Sequence, residues 1–316
     1  MMKKIITAFS LALWLTADAY AESYAFITNQ LDDNVSVLDL NQQRVIEKIA
    51  VTGKPAGVAV NQPMRRVYIS TPQGGGFAVL DSENLQLIET VEVGGASLGI
   101  AVDRLGERVF VADWYENTVD TFDTASLSHI KKIQVGRSPS GMIVSPDNRW
   151  LYVANRMDDS ISQIDLSTLK IRNTTKVGEH PFGLTVSSDG RRIYSANVES
   201  DDVTVLRPDH LKRVATVKVG SRPYAVALAL NDSRLFVTNQ DDSSVSVIDT
   251  ETLEQIAEIE VGEKPEGIST HPDDRQVYVA NWFDGTVSVI DAKTLEVTET
   301  IVAGEGSRAF GEFIIK

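Results

Sequence analysis

The chain has 316 residues, a formal net charge of −14, four histidines and no cysteine. Without cysteine there can be no disulfide, thiolate metal centre or covalently attached c-type haem. The acidic balance argues against nucleic acid, whose binders present basic stripes, and against anionic lipid surfaces; it would suit a basic protein partner.

In chain order, Lys3 and Lys4 precede an apolar stretch, Ile5–Leu15, and Ala19-Tyr20-Ala21 has small residues where an export cleavage site needs them. The stretch is shorter than the ~20 apolar residues that span a bilayer. Residues 1–21 therefore read as a cleaved signal peptide, and 22–316 as one domain delivered to a periplasm without membrane insertion. No cysteine follows the apolar run, so lipid anchoring has no acceptor.

From Glu22 onward a period of 42 residues governs the sequence. Asn29, Thr71, Asp113, Asn155, Asn197, Asn239 and Asn281 mark one repeat position, and Asp39, Asp81, Asp123, Asp165, Arg207, Asp249 and Asp291 another. Gly94, Gly136, Gly178, Gly220, Gly262 and Gly304 mark the unit boundaries. A period of ~40–45 residues is one four-stranded propeller blade. Seven copies predict an all-β, seven-bladed β-propeller.

The first strand, Tyr24–Asn29, is of the second type in its blade and has no innermost strand before it. The last unit gives the pattern. A short strand starts at Gly267, Val277–Asn281 and Thr286–Asp291 form the middle pair, and Val297–Val302 ends the unit. The middle strands are continuously apolar, as expected between blades. The outer one alternates and should be half exposed, with charges guarding a sheet edge. The C-terminal segment Arg308–Ile315 occupies the innermost slot, so it should complete the N-terminal blade, one strand from the end joined to three from the start.

The recurrent polar residues have structural readings first. The Asp series can accept backbone amides of the following turn, the Asn series can do the same or adopt a left-handed conformation, and Gly57, Gly99, Gly141, Gly183 and Gly267 suit a crowded inner ring. The acidic pairs Asp32-Asp33, Asp158-Asp159, Asp201-Asp202 and Asp241-Asp242 lack calcium-loop spacing and read as solvated turns.

Tyr152-Val153-Ala154-Asn155, Phe236-Val237-Thr238-Asn239 and Tyr278-Val279-Ala280-Asn281, with Val-Ser-Val-Ile-Asp at 245–249 and 287–291, resemble the YVTN-type β-propeller repeat. The boundary segments 177–183 and 261–267 carry the same resemblance. It implies an exported propeller and no particular reaction. Two units depart from the pattern: Ser70–Gly76 replaces the usual Asn-led loop, and Arg207-Pro208 replaces the strand-ending Asp.

Enzymatic signatures are missing. His129, His180, His210 and His271 fall at unmatched repeat positions, and no nucleophile elbow, phosphate loop or dinucleotide fingerprint occurs. No cofactor is expected. The reading is a binding or scaffolding protein for a small molecule or periplasmic protein. The alternatives are a metal-dependent lactonase-type hydrolase and an accessory to a quinone or haem redox system.

In a propeller the loops after the second strands and before the innermost strands share one face. Residues there that differ between repeats are free to bind. After the second strands these are Trp114, Tyr115, Arg156, Met157, Trp282 and Phe283. Before the innermost strands one position reads Ala56, Leu98, Ser140, Phe182, Tyr224, Glu266, Arg308. Trp114, Arg156, His180, Phe182, Tyr224, Glu266, Trp282 and Arg308 are thus the candidate ligand- or partner-binding residues, since aromatic residues and Arg carry most interface energy. Structurally, the tryptophans could instead cover neighbouring loops and Glu266 could pair with Arg308.

Overall fold

Short runs of β-branched and aromatic residues, cut every few positions by Asp, Asn, Gly and Pro, cannot form helices and fold as hairpins. The protein, described as a computed structural model over residues 23–316, contains seven sheets arranged as blades, no α-helix and two short 3-10 turns within those residues. The expected signal peptide lies outside the described residues. The last blade runs outward from the channel as Pro265–Thr270, Gln276–Asn281, Thr286–Asp291 and Glu296–Val302.

Middle strands are almost wholly buried, and their side chains interlock between blades: Phe236, Val245 and Val247 of one pack with Val277, Val279 and Ile290 of the next. Each such side chain contributes ~1.5–3 kcal/mol of burial. Outer strands are more exposed than simple alternation implies; in Gln86–Glu92 only Val91 is partly covered.

The ring closes as the strand count requires. Ile314–Ile315 pairs antiparallel with Tyr24–Asn29, with Tyr24 opposite Ile315. The C-terminal segment is not one straight innermost strand, however. Arg308 and Ala309 donate their amides to Thr28 O and Thr28 Oγ1, each at 2.8 Å. Phe310–Glu312 then leans to the neighbouring blade and pairs parallel with Gly57–Asn61. Gly311, at φ 105°, is the middle residue of this short parallel pairing, opposite Val58, in a conformation that favours glycine. One sheet therefore has five strands.

The inner ring is as tight as its glycines suggest. A Cβ on Gly99 would stand 1.8 Å from Ser140 O of the next blade. The strand-ending aspartates also behave as expected: Asp291 Oδ1 accepts the amides of Lys293 at 2.9 Å and Thr294 at 2.8 Å.

The asparagines do something different. None is left-handed. Each reaches along the hairpin, so that Asn281 Nδ2 donates to Thr286 Oγ1 at 3.0 Å and Ser288 Oγ at 2.9 Å, and Asn29, Asn155, Asn197 and Asn239 repeat this with residues five and seven further on.

The acidic pairs are not merely solvated turns either. Asp32 Oδ2 accepts Glu305 N at 3.0 Å from the loop entering its blade, while Asp33 Oδ1 accepts Lys54 N at 2.8 Å from the loop leaving it. Asp158 and Asp159 hold Arg137 N and His180 N in the same way. In these two blades the carboxylates tie the loop to both neighbouring connections.

Candidate functional site

Strand direction sets the geometry of the face. The chain enters each innermost strand from the side at which each second strand ends, so two tiers of repeat positions meet above the channel.

The lower tier closes the channel. Ala56, Leu98, Phe182, Tyr224 and Phe310 form one buried apolar cluster, with Val198 within it and Trp114 against it. The rings of Phe182 and Tyr224 lie 4.0 Å apart between centroids, and Phe310 meets Phe182 edge-on at 5.2 Å. Beside them Arg308 Nε stands 2.7 Å from Glu266 Oε2, Arg308 Nη2 donates to the Tyr224 hydroxyl, and Gln240 Nε2 donates to Glu266 Oε1 at 2.7 Å. Burial pushes the Tyr224 phenol up to about 12. Burial also raises the Glu266 carboxyl, and the Arg308 guanidinium pulls it back. Burial opposes the charge on Arg308, but Glu266 and Tyr224 overcome that and hold it protonated.

The upper tier is open to solvent on its outer side. The Arg156 guanidinium lies 5.9 Å from the centroids of both Trp114 and Phe182. It forms no ion pair among the described residues. Burial draws its pKa below the ordinary arginine value; attraction to Tyr224 and Glu199 opposes this, and repulsion from Arg222 and Arg308 adds to it. His180 is left-handed at φ 55°; its Nδ1 is buried without a hydrogen-bond partner, 3.8 Å from Glu199 Oε1. Glu199 is itself held by Arg222 at 2.8 Å.

Of the eight candidates, Trp114, Arg156, Phe182, Tyr224, Glu266 and Arg308 thus assemble at the closed mouth, with His180 at its edge. Trp282 has another setting: its Nε1 donates to Gln30 Oε1 at 3.4 Å, and it lines a surface groove of about 530 Å³ with Leu31, Phe283 and Val302. Sequence reasoning missed Gln240 and Phe310. Gln240 shares the repeat position of Trp114, which was a usable signal; Phe310 lies two residues past the last ring position, where the C-terminal segment leaves Thr28 and pairs with Gly57–Asn61.

It also missed a cavity of about 490 Å³ inside the channel, lined by Ile100, Met142, Leu184, Leu228 and Ile268, on the far side of the cluster. Arg104, which pairs with Glu312 at 3.0 Å, and Phe310 share this lining.

The remaining histidines are dispersed, as their spacing implied. His129 pairs with Asp120 at 2.7 Å, His210 lies beside Asp209, and His271 beside Asp273. Among the described residues no three His, Asp or Glu side chains gather as metal ligands would.

Comparison with known proteins places the chain among β-propellers. Residues 126–210 match the family described as "Lactonase, 7-bladed beta-propeller", and residues 225–305 the YNCE-like β-propeller family. No curated protein sequence matches the chain. Among solved structures, Kuenenia stuttgartiensis hydrazine synthase superposes with a TM-score of 0.77 at 21% identity, over 84% of this chain and 92% of that one. A functionally unknown protein from Desulfotomaculum acetoxidans gives 0.80 at 11% identity, over 91% and 97% of the two chains. The dihydro-heme d1 dehydrogenase NirN, in complex with DHE, gives 0.68 at 19% identity, over 88% of this chain and 63% of that one. At these identities the likeness is one of fold.

Proposed function

We propose that this is an exported, YVTN-type propeller that binds a ligand on the closed face of its channel and performs no chemistry of its own there. The observation that carries the reading is the cation of Arg156, 5.9 Å from the rings of both Trp114 and Phe182 and in no ion pair among the described residues. A half-buried charge without a partner is costly inside one chain and gains most from a ligand. Beneath it Glu266 and Arg308 neutralise each other across 2.7 Å, and Tyr224 takes one further Arg308 donor, so the pair forms a charge-balanced floor although Arg308 Nε and Glu266 Oε2 make no aligned hydrogen bond. Fluorescence of Trp114 and Trp282 tests the reading: titrating purified mature protein with a small-molecule library should give saturable changes that Trp114→Phe removes. A library that shifts neither fluorescence nor melting temperature would reject it.

One observation favours a second reading. The match to the lactonase family spans Arg156, His180 and Phe182. Hydrolysis would need a base and converging ligands or a nucleophile, and the nearest acid to His180 Nδ1, Glu199, is engaged by Arg222. Turnover of simple lactones by purified protein, lost in His180→Ala, would replace the binding reading with this one.

A further inference from the structure

Arg156 differs from the cations nearest it in having no ion pair among the described residues. Arg222 and Arg308 act on it from other blades, and the carboxylates that answer those two, and Lys264 one repeat beyond Arg222, are Glu199, Asp241 and Glu266. Glu199 faces Arg222, Asp241 faces Lys264 at 2.8 Å, and Glu266 faces Arg308. Arg222, Lys264 and Arg308 thus each have a carboxylate partner and Arg156 has none, although Asp113, Asp159 and Asp201 stand on the same loops, spent on backbone amides.

A guanidinium offers a planar fork of donors that fits a carboxylate in two parallel bonds. A phosphate dianion would bring two charges to one unpaired guanidinium that has Glu199 and Glu266 within electrostatic reach. Trp114 and Phe182 each lie 5.9 Å from the guanidinium carbon; Phe182 is buried, Trp114 is half-buried, and Tyr115 and Met157, next in sequence to Trp114 and Arg156, stand exposed at 74% and 44%. Such surfaces accept a flat apolar body by stacking.

We infer that the ligand of this face is a small molecule that carries one carboxylate on a flat apolar body, with Arg156 gripping the carboxylate and Trp114 and Tyr115 covering the body. The inference rests on the binding role proposed above and names its chemistry. Arg308 lies outside the grip, because Glu266 already neutralises its buried charge and Tyr224 takes Nη2.

The test uses four probes of matched shape, namely benzoate, phenyl phosphate, benzyl alcohol and benzylamine, with affinity read from tryptophan fluorescence and from NMR line broadening of the probe. Benzoate should bind best. Arg156→Ala should weaken it by about tenfold or more, the loss typical of a charged hydrogen-bonding group, with Arg156→Lys between the two. Trp114→Ala should weaken benzoate as well as a larger analogue such as 2-naphthoate. Unchanged melting temperatures in these variants would show that the fold is intact. Tighter binding of benzyl alcohol or benzylamine, still lost in Trp114→Ala, would overturn the carboxylate assignment while leaving a binding face. Tighter binding of phenyl phosphate would overturn the singly charged ligand. Binding of none of the five probes would reject the inference, and the library titration then decides the binding role separately.

Discussion

Arg308 Nε and Glu266 Oε2 stand 2.7 Å apart, joining the C-terminal segment to the last blade at the centre of the closed channel mouth. Their repeat positions are consecutive copies of one site, so the pair bridges adjacent blades at the point where the ring closes. Removing one partner strands the other charge, whereas removing both does not. Arg308→Ala should therefore destabilise the fold by about 3–5 kcal/mol, and Arg308→Met with Glu266→Leu by much less. Urea unfolding of the three proteins checks this. Equal losses in the single and double variants would show that the pair acts only by packing.

The asparagine bridge makes a second expectation. Asn281 places both amide protons on hydroxyls of the returning strand, and its body fills the space against Gly262, where a Cβ would come within 2.7 Å of Asn281 Cγ. Asn281→Ala should cost about 1–3 kcal/mol, since two hydroxyls lose their donor inside a blade. Asn281→Asp, of the same shape but unable to donate, should cost at least as much. If Asn281→Asp unfolds at the wild-type urea concentration, the bridge contributes nothing.

How much of this could be read in advance differs from residue to residue. The blades, the turn-capping aspartates and the closure by Ile314–Ile315 follow from a strict period and a strand count, and both survive folding unchanged. The Glu266–Arg308 pair was within reach for the same reason, since neighbouring copies of one position must sit side by side. The asparagine bridge was written in the sequence too, as hydroxyl or polar residues five and seven positions on, but a local turn offered a simpler account. Trp114 and Trp282 mark the limit. They occupy one repeat position, yet one packs against Leu98 and Phe182 and the other beside Gln30 and Phe283. Which neighbour a ring meets depends on how the channel fills, and Phe310 fills it from a segment that no repeat describes.

Acid should unfold the protein along a defined limb. Asp81, Asp249 and Asp291 are held below the usual carboxylate range, first by backbone amides at Asn84, Thr252 and Thr294. A depressed folded pKa contributes stability that is complete above the unfolded value, about 3.9, and is lost as pH falls through the folded one. Glu266 has the opposite sign: raised by burial, it favours the fold most at low pH and loses that advantage as pH rises through its folded value. The urea midpoint should hold from neutral pH down to about pH 4 and then fall. Asp291→Asn should flatten the fall, and Glu266→Gln should steepen it. Identical pH profiles in wild type and Asp291→Asn would show that the turn carboxylates do not set the acid limb.

The last prediction concerns Phe310. Its ring is 5% exposed, lies edge-on to Phe182 from across the channel, and separates the closed mouth from the inner cavity. It reaches that place because the C-terminal segment leaves Thr28 after Ala309 and pairs with Gly57–Asn61 from Phe310 on. Phe310→Ala should open a void between the mouth and the cavity and cost about 3–5 kcal/mol, the usual loss for a buried aromatic ring. Deleting residues 308–316 should do more. It removes Phe313, Ile314 and Ile315 as well, and it bares the edges of Tyr24–Asn29 and Gly57–Asn61 to pairing with another molecule. The point variant should remain monomeric with a lowered melting temperature, and the truncation should associate or fail to fold. Light scattering with thermal melts separates these outcomes. A truncated protein that stays monomeric and melts with the wild type would mean that the ring does not depend on its C-terminal strand.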